Sequence, residues 1–226
     1  MGLRLYYFPT PNGRKVAIAL EEMGLAYEVA PVNILEGEQH DPAFLAISPN
    51  GRIPAVVDEP PSDPDGERVV IFESGAILQY LGRKSGRFYP RSEAARAWID
   101  AWLFWQMAGL GPMTGQINWF VRVSETPGRD PRDSSYAIHR YTKETKRLYG
   151  VLERQLTGRE FICDDYSIAD MACWPWVEQY HHRVGGLGEY PAIAAWRERI
   201  AARPAVQRAL ELGLDWARPQ GSRTQV

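Results

Sequence analysis

Strand-forming sequence is confined to the first third of the chain, and that asymmetry governs the fold. Residues 3–8 alternate Leu3, Leu5 and Tyr7 against Arg4, Tyr6 and Phe8, the period of two that a half-buried strand requires. Helical spacing follows at once. Val16, Ala17, Leu20 and Met23 share a face, and Gly24 suits the stop. AYEVAPVNI reads as a second strand, DPAFLAI as a short helical turn, and IPAVVD and RVVIFE as two more strands. Between these last two, EPPSDPDGE is polar and rich in proline and glycine, a surface hairpin loop. SGAILQYLGRKSG is a helix with Ser74 placed to cap it. A linker near residues 85–92 follows, and beyond it no stretch reads as a strand. Helical sequence covers roughly residues 92–122, 133–157, 167–183, 190–202 and 204–212, and Pro112 in AGLGPM should kink or break the first of these. The expected architecture is an α/β domain of order βαβαββα over residues 1–86, then an all-α domain over 92–226 ending in a polar tail, RPQGSRTQV.

The totals exclude several function classes. Twenty-six basic against 28 acidic side chains give a net charge of −2, without the basic excess that nucleic-acid binders show. No apolar run approaches the ~18 residues needed to cross a bilayer. MGLRLYYFPTPNG lacks a basic segment followed by an apolar stretch, so no secretory signal is expected, and Tyr6 stands where a myristoylation motif wants Ser or Thr. Two cysteines, Cys163 and Cys173, fit a reducing compartment such as the cytoplasm better than a disulfide scaffold. No His, Cys and carboxylate cluster has metal-site spacing.

Two short motifs carry chemistry. NGRIPAV sets Pro54 directly before a strand, a candidate cis bond that would present the amide and carbonyl of Ile53 edge-on to an extended ligand. FESGAIL puts Glu73 and Ser74 at a helix start just after a strand. Backbone amides and a serine hydroxyl there suit a carboxylate, and Glu73 suits an ammonium group. Read alone, ES is as readily a plain helix cap. Together the motifs describe a receptor for a peptide-like zwitterion.

SPNGRIPAVVD followed by FESGAILQYL resembles the glutathione-binding half of the cytosolic glutathione transferases, and DYSIADMACWPW resembles the capping box of their helical half. In that box Ser167 caps and Asp170 reaches back, an arrangement worth about 1 kcal/mol. The match runs over roughly residues 3–212. Within the superfamily TPNGRKV, ISPNGRIPA, WLFWQMAGLGPMTGQ, YAIHRYTKETKRLY and YSIADMACWPW are most similar to the bacterial Nu class. The resemblance implies a thioredoxin-like domain, a helical domain, a homodimer, glutathione as co-substrate without a metal, and a glutathione-dependent disulfide-bond reductase in the cytoplasm. Conjugation of electrophiles, reduction of peroxides, and a non-catalytic glutathione-binding module are the alternatives.

On this reading the turn before the first helix needs no cysteine, because the ligand brings the thiol. Thr10 and Asn12 would stabilise its thiolate through a hydroxyl and an amide, with help from the helix dipole. Asn12 serves equally as a helix cap. The position of Thr10, counted back from Arg14, is where other classes carry a catalytic serine; Tyr6 and Tyr7 are expected to pack instead, and neither cysteine is expected to be catalytic. By position, Gln39 and Arg52 would hold the glycine-end carboxylate of glutathione, with His40 a competitor, while Ile53 and Pro54 clamp its backbone and Glu73 and Ser74 hold its γ-glutamyl end. Arg140 would balance the charge of a second or oxidised glutathione, or else pair with Glu144 at i+4. Trp98, Trp102 and Trp105 share a helical face and, with Phe104, Trp119 and Phe120, would line a pocket for the disulfide or electrophile, or form core or a dimer seam.

Overall fold

The computed structural model describes residues 2–59, 66–126, 128, 130, 132–214 and 216. Residues 60–65 of the expected hairpin loop, and the tail from 217, lie outside them. Along the chain run β1 (Leu3–Tyr7), α1 (Pro11–Met23), β2 (Tyr27–Pro31), α2 (Pro42–Leu45), β3 (Ala55–Asp58), β4 (Val69–Phe72) and α3 (Ser74–Ser85). Then come α4 (Glu93–Trp105), α5 (Gly111–Ser124), α6 (Arg132–Leu156), α7 (Ile168–Tyr180), α8 (Pro191–Ala201) and α9 (Pro204–Glu211). Two compact units result. One holds the described residues of Met1–Ser85 and those from Arg203 onward, and the other holds Gly86–Ala202.

In the first unit the strands form one mixed sheet in the order β2–β1–β3–β4, with β1 parallel to β2 and β3 antiparallel to both neighbours. Leu3, Leu5 and Tyr7 are the buried members of β1, as their alternation predicts. The helix α1 departs from the amphipathic expectation. Lys15 through Leu20 are all buried, because α1 packs on α3 and on α9 as well. The return of α9 is secured by ion pairs: Arg203 is bidentate to Glu22 at 2.5 and 2.8 Å, and Arg208 reaches Glu21 at 2.7 Å. The sequence had grouped this helix with the helical half. Its buried face, Ala205, Val206 and Ala209, belongs instead to the first unit, where α9 packs on α1.

Among the described residues of the second unit the regular elements are all helices, apart from an isolated bridge between Cys163 and Asp165. Pro112 takes effect where expected, at a turn of π-helix over Gln106–Leu110 between α4 and α5, with Pro112 in the first turn of α5. Its core is built round Tyr149, Trp174 and Trp196, all fully buried. The capping box of α7 is present. Ser167 accepts from the Ala169 amide at 3.3 Å, and Asp170 accepts from the Ser167 amide at 3.0 Å. Asp170 also accepts from the Ile162 amide at 3.0 Å and the Trp196 indole N–H at 2.9 Å, tying the box into the core.

Candidate functional site

Sheet register brings three of the predicted segments of the first unit to one end. Ala55 pairs with Tyr6 on one side and with Phe72 on the other. The end of β1, the start of β3 and the end of β4 are therefore neighbours. The next residues along the chain are the turn into α1, the Ile53–Pro54 bond and Glu73–Ser74. The Ile53–Pro54 peptide bond is cis.

At the first of these, Thr10 has extended backbone and its Oγ1 accepts the Gly13 amide at 3.2 Å, so Thr10 is the N-cap of α1 with Pro11 behind it. Asn12 lies inside the first turn, which corrects the alternative that made Asn12 the cap. The Thr10 hydroxyl proton has no acceptor among the described residues. Gly13 is demanded by sterics, since a Cβ there would stand 2.2 Å from the Phe8 carbonyl oxygen. Both Thr10 and Asn12 are half-buried. Tyr7 is wholly buried, donates its hydroxyl to the Leu212 carbonyl at 3.3 Å and sits edge-on to Trp216. Burial pushes the Tyr7 hydroxyl up to about 12, which fits packing rather than a thiolate partner.

At the third, Glu73 is a non-glycine residue in the left-handed region, φ 70°. Its carbonyl accepts the Ile77 amide at 3.0 Å, so Glu73 occupies the boundary position of α3 and Ser74 is the first helical residue. The expected cap by Ser74 is thus shifted by one position. Ser74 is buried and its Oγ lies 3.4 Å from Lys15 Nζ, a lysine itself only 1% exposed. Sequence reading missed Lys15. The available signal was a lysine one residue before the continuous apolar run of α1.

Gln39 and Arg52 come together through the backbone. A Cβ on Gly51, which sits at φ 60°, would lie 3.3 Å from the Gln39 carbonyl oxygen and 3.5 Å from His40 Nδ1. Ser48 pins the following residue by donating to the Arg52 carbonyl at 2.8 Å. Arg52 itself is exposed. The Gln39 side chain is 3.2 Å from His40 Nε2, and its Oε1 is buried without a partner among the described residues.

The remaining candidates lie in the second unit. Arg140 is exposed on α6, and Glu144 is held bidentately by Arg147 instead, at 2.9 and 2.6 Å. That hydrogen-bonded pair, with Arg140 a minor charge nearby, holds the Glu144 carboxyl below its ordinary range. Trp102 is buried between Trp98 and Trp105 in edge-on contacts, so one part of the aromatic face is core. Trp98, Phe104 and Trp119 are exposed. Cys173 is fully buried, and burial pushes the half-buried Cys163 thiol up to about 12. Among the described residues no group of three or more His, Cys, Asp or Glu could hold a metal ion, and no helix is long and apolar enough to cross a membrane.

The family model for the glutathione S-transferase N-terminal domain matches residues 1–83, and that for the C-terminal domain matches residues 129–204. The chain is 47% identical to the disulfide-bond oxidoreductase YfcG of Escherichia coli, over 91% of this chain and 93% of that protein. Its fold is similar to that of a glutathione transferase from Burkholderia graminis solved with two glutathione molecules per subunit. There the TM-score is 0.85 at 42% identity, covering 93% of this chain and 88% of that one. It is also similar to a glutathione transferase from Pseudomonas putida solved with one glutathione disulfide per subunit, at TM-score 0.82 and 43% identity, covering 93% and 91%. With both domain models matched in order and close identity along nearly the whole length, the chain belongs to the glutathione S-transferase family.

Proposed function

We propose that this protein is a glutathione-dependent disulfide-bond reductase whose attacking sulfur is that of bound glutathione. The observation that carries the reading is the sheet register, which puts the Thr10–Asn12 turn, Ile53–Pro54 and Glu73–Ser74 at one end of one sheet. Ser74 and the first amides of α3 take the γ-glutamyl carboxylate, and Glu73 takes its ammonium. Ile53 pairs with the cysteinyl backbone, and Gln39 and Arg52 take the glycine carboxylate. The ligand's sulfur then meets the start of α1, where the Thr10 hydroxyl, the Asn12 amide and the helix dipole favour its ionised form.

In the first step the glutathione thiolate attacks one sulfur of a substrate disulfide. A mixed disulfide with glutathione forms, and the other half leaves as a thiolate that picks up a proton from water. A second glutathione thiolate attacks the mixed disulfide on the glutathione sulfur. It releases the remaining substrate thiol and leaves oxidised glutathione. Two glutathiones are oxidised for each disulfide reduced. Arg140 offers an exposed positive charge suited to a second glutathione, and Arg140→Ala should lower binding stoichiometry without touching the first site.

The Nu class, a homodimer and a cytoplasmic location accompany this reading on the strength of the resemblance. The test is turnover of a small-molecule disulfide with glutathione beside an aryl halide acceptor. Fast disulfide turnover, lost in Thr10→Ala/Asn12→Ala, supports the reading. Glutathione binding with neither activity overturns it in favour of a binding module.

A further inference from the structure

Lys15 is among the largest fully buried side chains of the first unit, a rare setting for a residue whose charge is costly to remove from water. Nothing in the reaction above uses it. It projects from α1 toward α3, which packs against α1, and Ser74 Oγ is among its partners at 3.4 Å. Ser74 is the first residue of α3, so the amides around it have no partner within the helix. Two sources of positive potential therefore converge on one spot: the start of α3, whose unpartnered amides form the positive end of its dipole, and the Lys15 side chain set behind Ser74. Exposed Glu73, held at φ 70°, stands next to that spot with the opposite sign. Positive behind and negative beside is the charge pattern that orients an amino-acid headgroup.

We infer that Lys15 is a positioning residue for the γ-glutamyl carboxylate of glutathione, acting through Ser74 from beneath the start of α3. The inference rests on the glutathione reading of the site. Lys15 donates to Ser74 Oγ, which fixes the serine side chain from below at the first residue of α3. The ammonium adds a fixed charge that needs no reorganisation when the carboxylate arrives.

The test is a cycle of ligand against side chain. Wild-type protein, Lys15→Met, Lys15→Gln and Ser74→Ala are titrated calorimetrically with glutathione and with 4-aminobutanoyl-cysteinyl-glycine, which lacks only that carboxylate. Wild type is expected to prefer glutathione. Both Lys15 variants should weaken glutathione binding about tenfold while leaving the analogue within about twofold, so that the preference shrinks as it does in Ser74→Ala. A lysine that merely supported the fold would weaken both ligands equally, and that result overturns the inference, as does an undiminished preference in both variants. Wild-type protein that fails to distinguish the ligands would instead strike at the placement of glutathione itself.

Discussion

Thr10 Oγ1 accepts the Gly13 amide at 3.2 Å, so one oxygen both caps α1 and stands at the mouth of the proposed sulfur site. Its two duties separate by substitution. Thr10→Ser keeps the oxygen and should retain stability and turnover. Thr10→Ala should cost about 1 kcal/mol of stability for the lost cap and slow disulfide turnover about 10- to 100-fold for the lost donor to a thiolate. Asn12→Ala, which removes no cap, should affect turnover far more than the melting temperature. In both Ala variants the acid limb of the kcat/KM profile should move up toward the free-thiol value near ~8.5, because fewer donors favour the ionised sulfur. Unmoved profiles in both would rule out thiolate stabilisation by these side chains.

Gly13 makes the same turn a test of geometry. An added methyl would meet the Phe8 carbonyl oxygen at 2.2 Å and the Tyr7 ring at 3.0 Å, and neither neighbour is the loose end of a flexible chain. Gly13→Ala should therefore destabilise the protein by more than about 3 kcal/mol, read by urea unfolding. What folds should turn over slowly, since Thr10 and Asn12 sit on the backbone that has to shift. A variant with wild-type stability would mean that the strand-to-helix turn is looser than these distances require.

Much of this was legible in the chain. Alternation in β1, the Ala55–Asp58 and Val69–Phe72 strands and the proline-driven break before α5 all follow from local pattern. The misreadings are of two kinds. At the helix starts, Thr10 and Asn12 stand two residues apart and both suit a cap, while at α3 Glu73 holds the boundary position beside Ser74, the residue whose type favours a cap. Pro11, which favours the first helical position, was the signal that pointed to Thr10. The second kind is tertiary. An amphipathic α9 announces that it packs, not on what, and it is the packing of its buried face on α1 and the ion pairs to Glu21 and Glu22 that assign it there. Lys15 belongs here too, because a lysine beside an apolar run reads as solvated until α3 is known to cover it.

Asp170 gives the fold a pH dependence whose sign is fixed by its surroundings. Burial pushes its carboxyl up to about 6, against hydrogen bonds from Ile162, Trp196 and Ser167 that pull it down. An unfolded aspartate titrates near ~3.9. The folded carboxyl thus holds its proton more tightly than the unfolded one. Its support for folding is complete below about pH 4 and is withdrawn as the pH climbs through about 6, a swing of about 2 to 3 kcal/mol. The unfolding free energy of wild type minus that of Asp170→Asn should fall over that interval and be flat above it. Asp170→Ala should cost about 3 kcal/mol or more at any pH, since it strands the buried Trp196 and Ile162 donors. A difference curve that rises with pH would show that the hydrogen bonds outweigh burial.

The cysteines provide the sharpest separation between a thiol brought by the ligand and one belonging to the chain. Cys173 is enclosed in α7 with no exposed surface, and burial, with the Asp170 charge adding to it, holds the Cys163 thiol near about 12. A thiol that stays protonated through the physiological range is a poor nucleophile for a disulfide. Cys163→Ser/Cys173→Ala should therefore keep kcat and KM for disulfide turnover within about twofold, at a stability cost of about 1 kcal/mol from the small cavity at position 173. The same variant treated with iodoacetamide should remain fully active once excess reagent is removed and fresh glutathione is supplied. Loss of turnover in the cysteine-free protein, with its melting temperature and glutathione affinity intact, would move the reactive sulfur from the ligand to the chain and end the proposed mechanism.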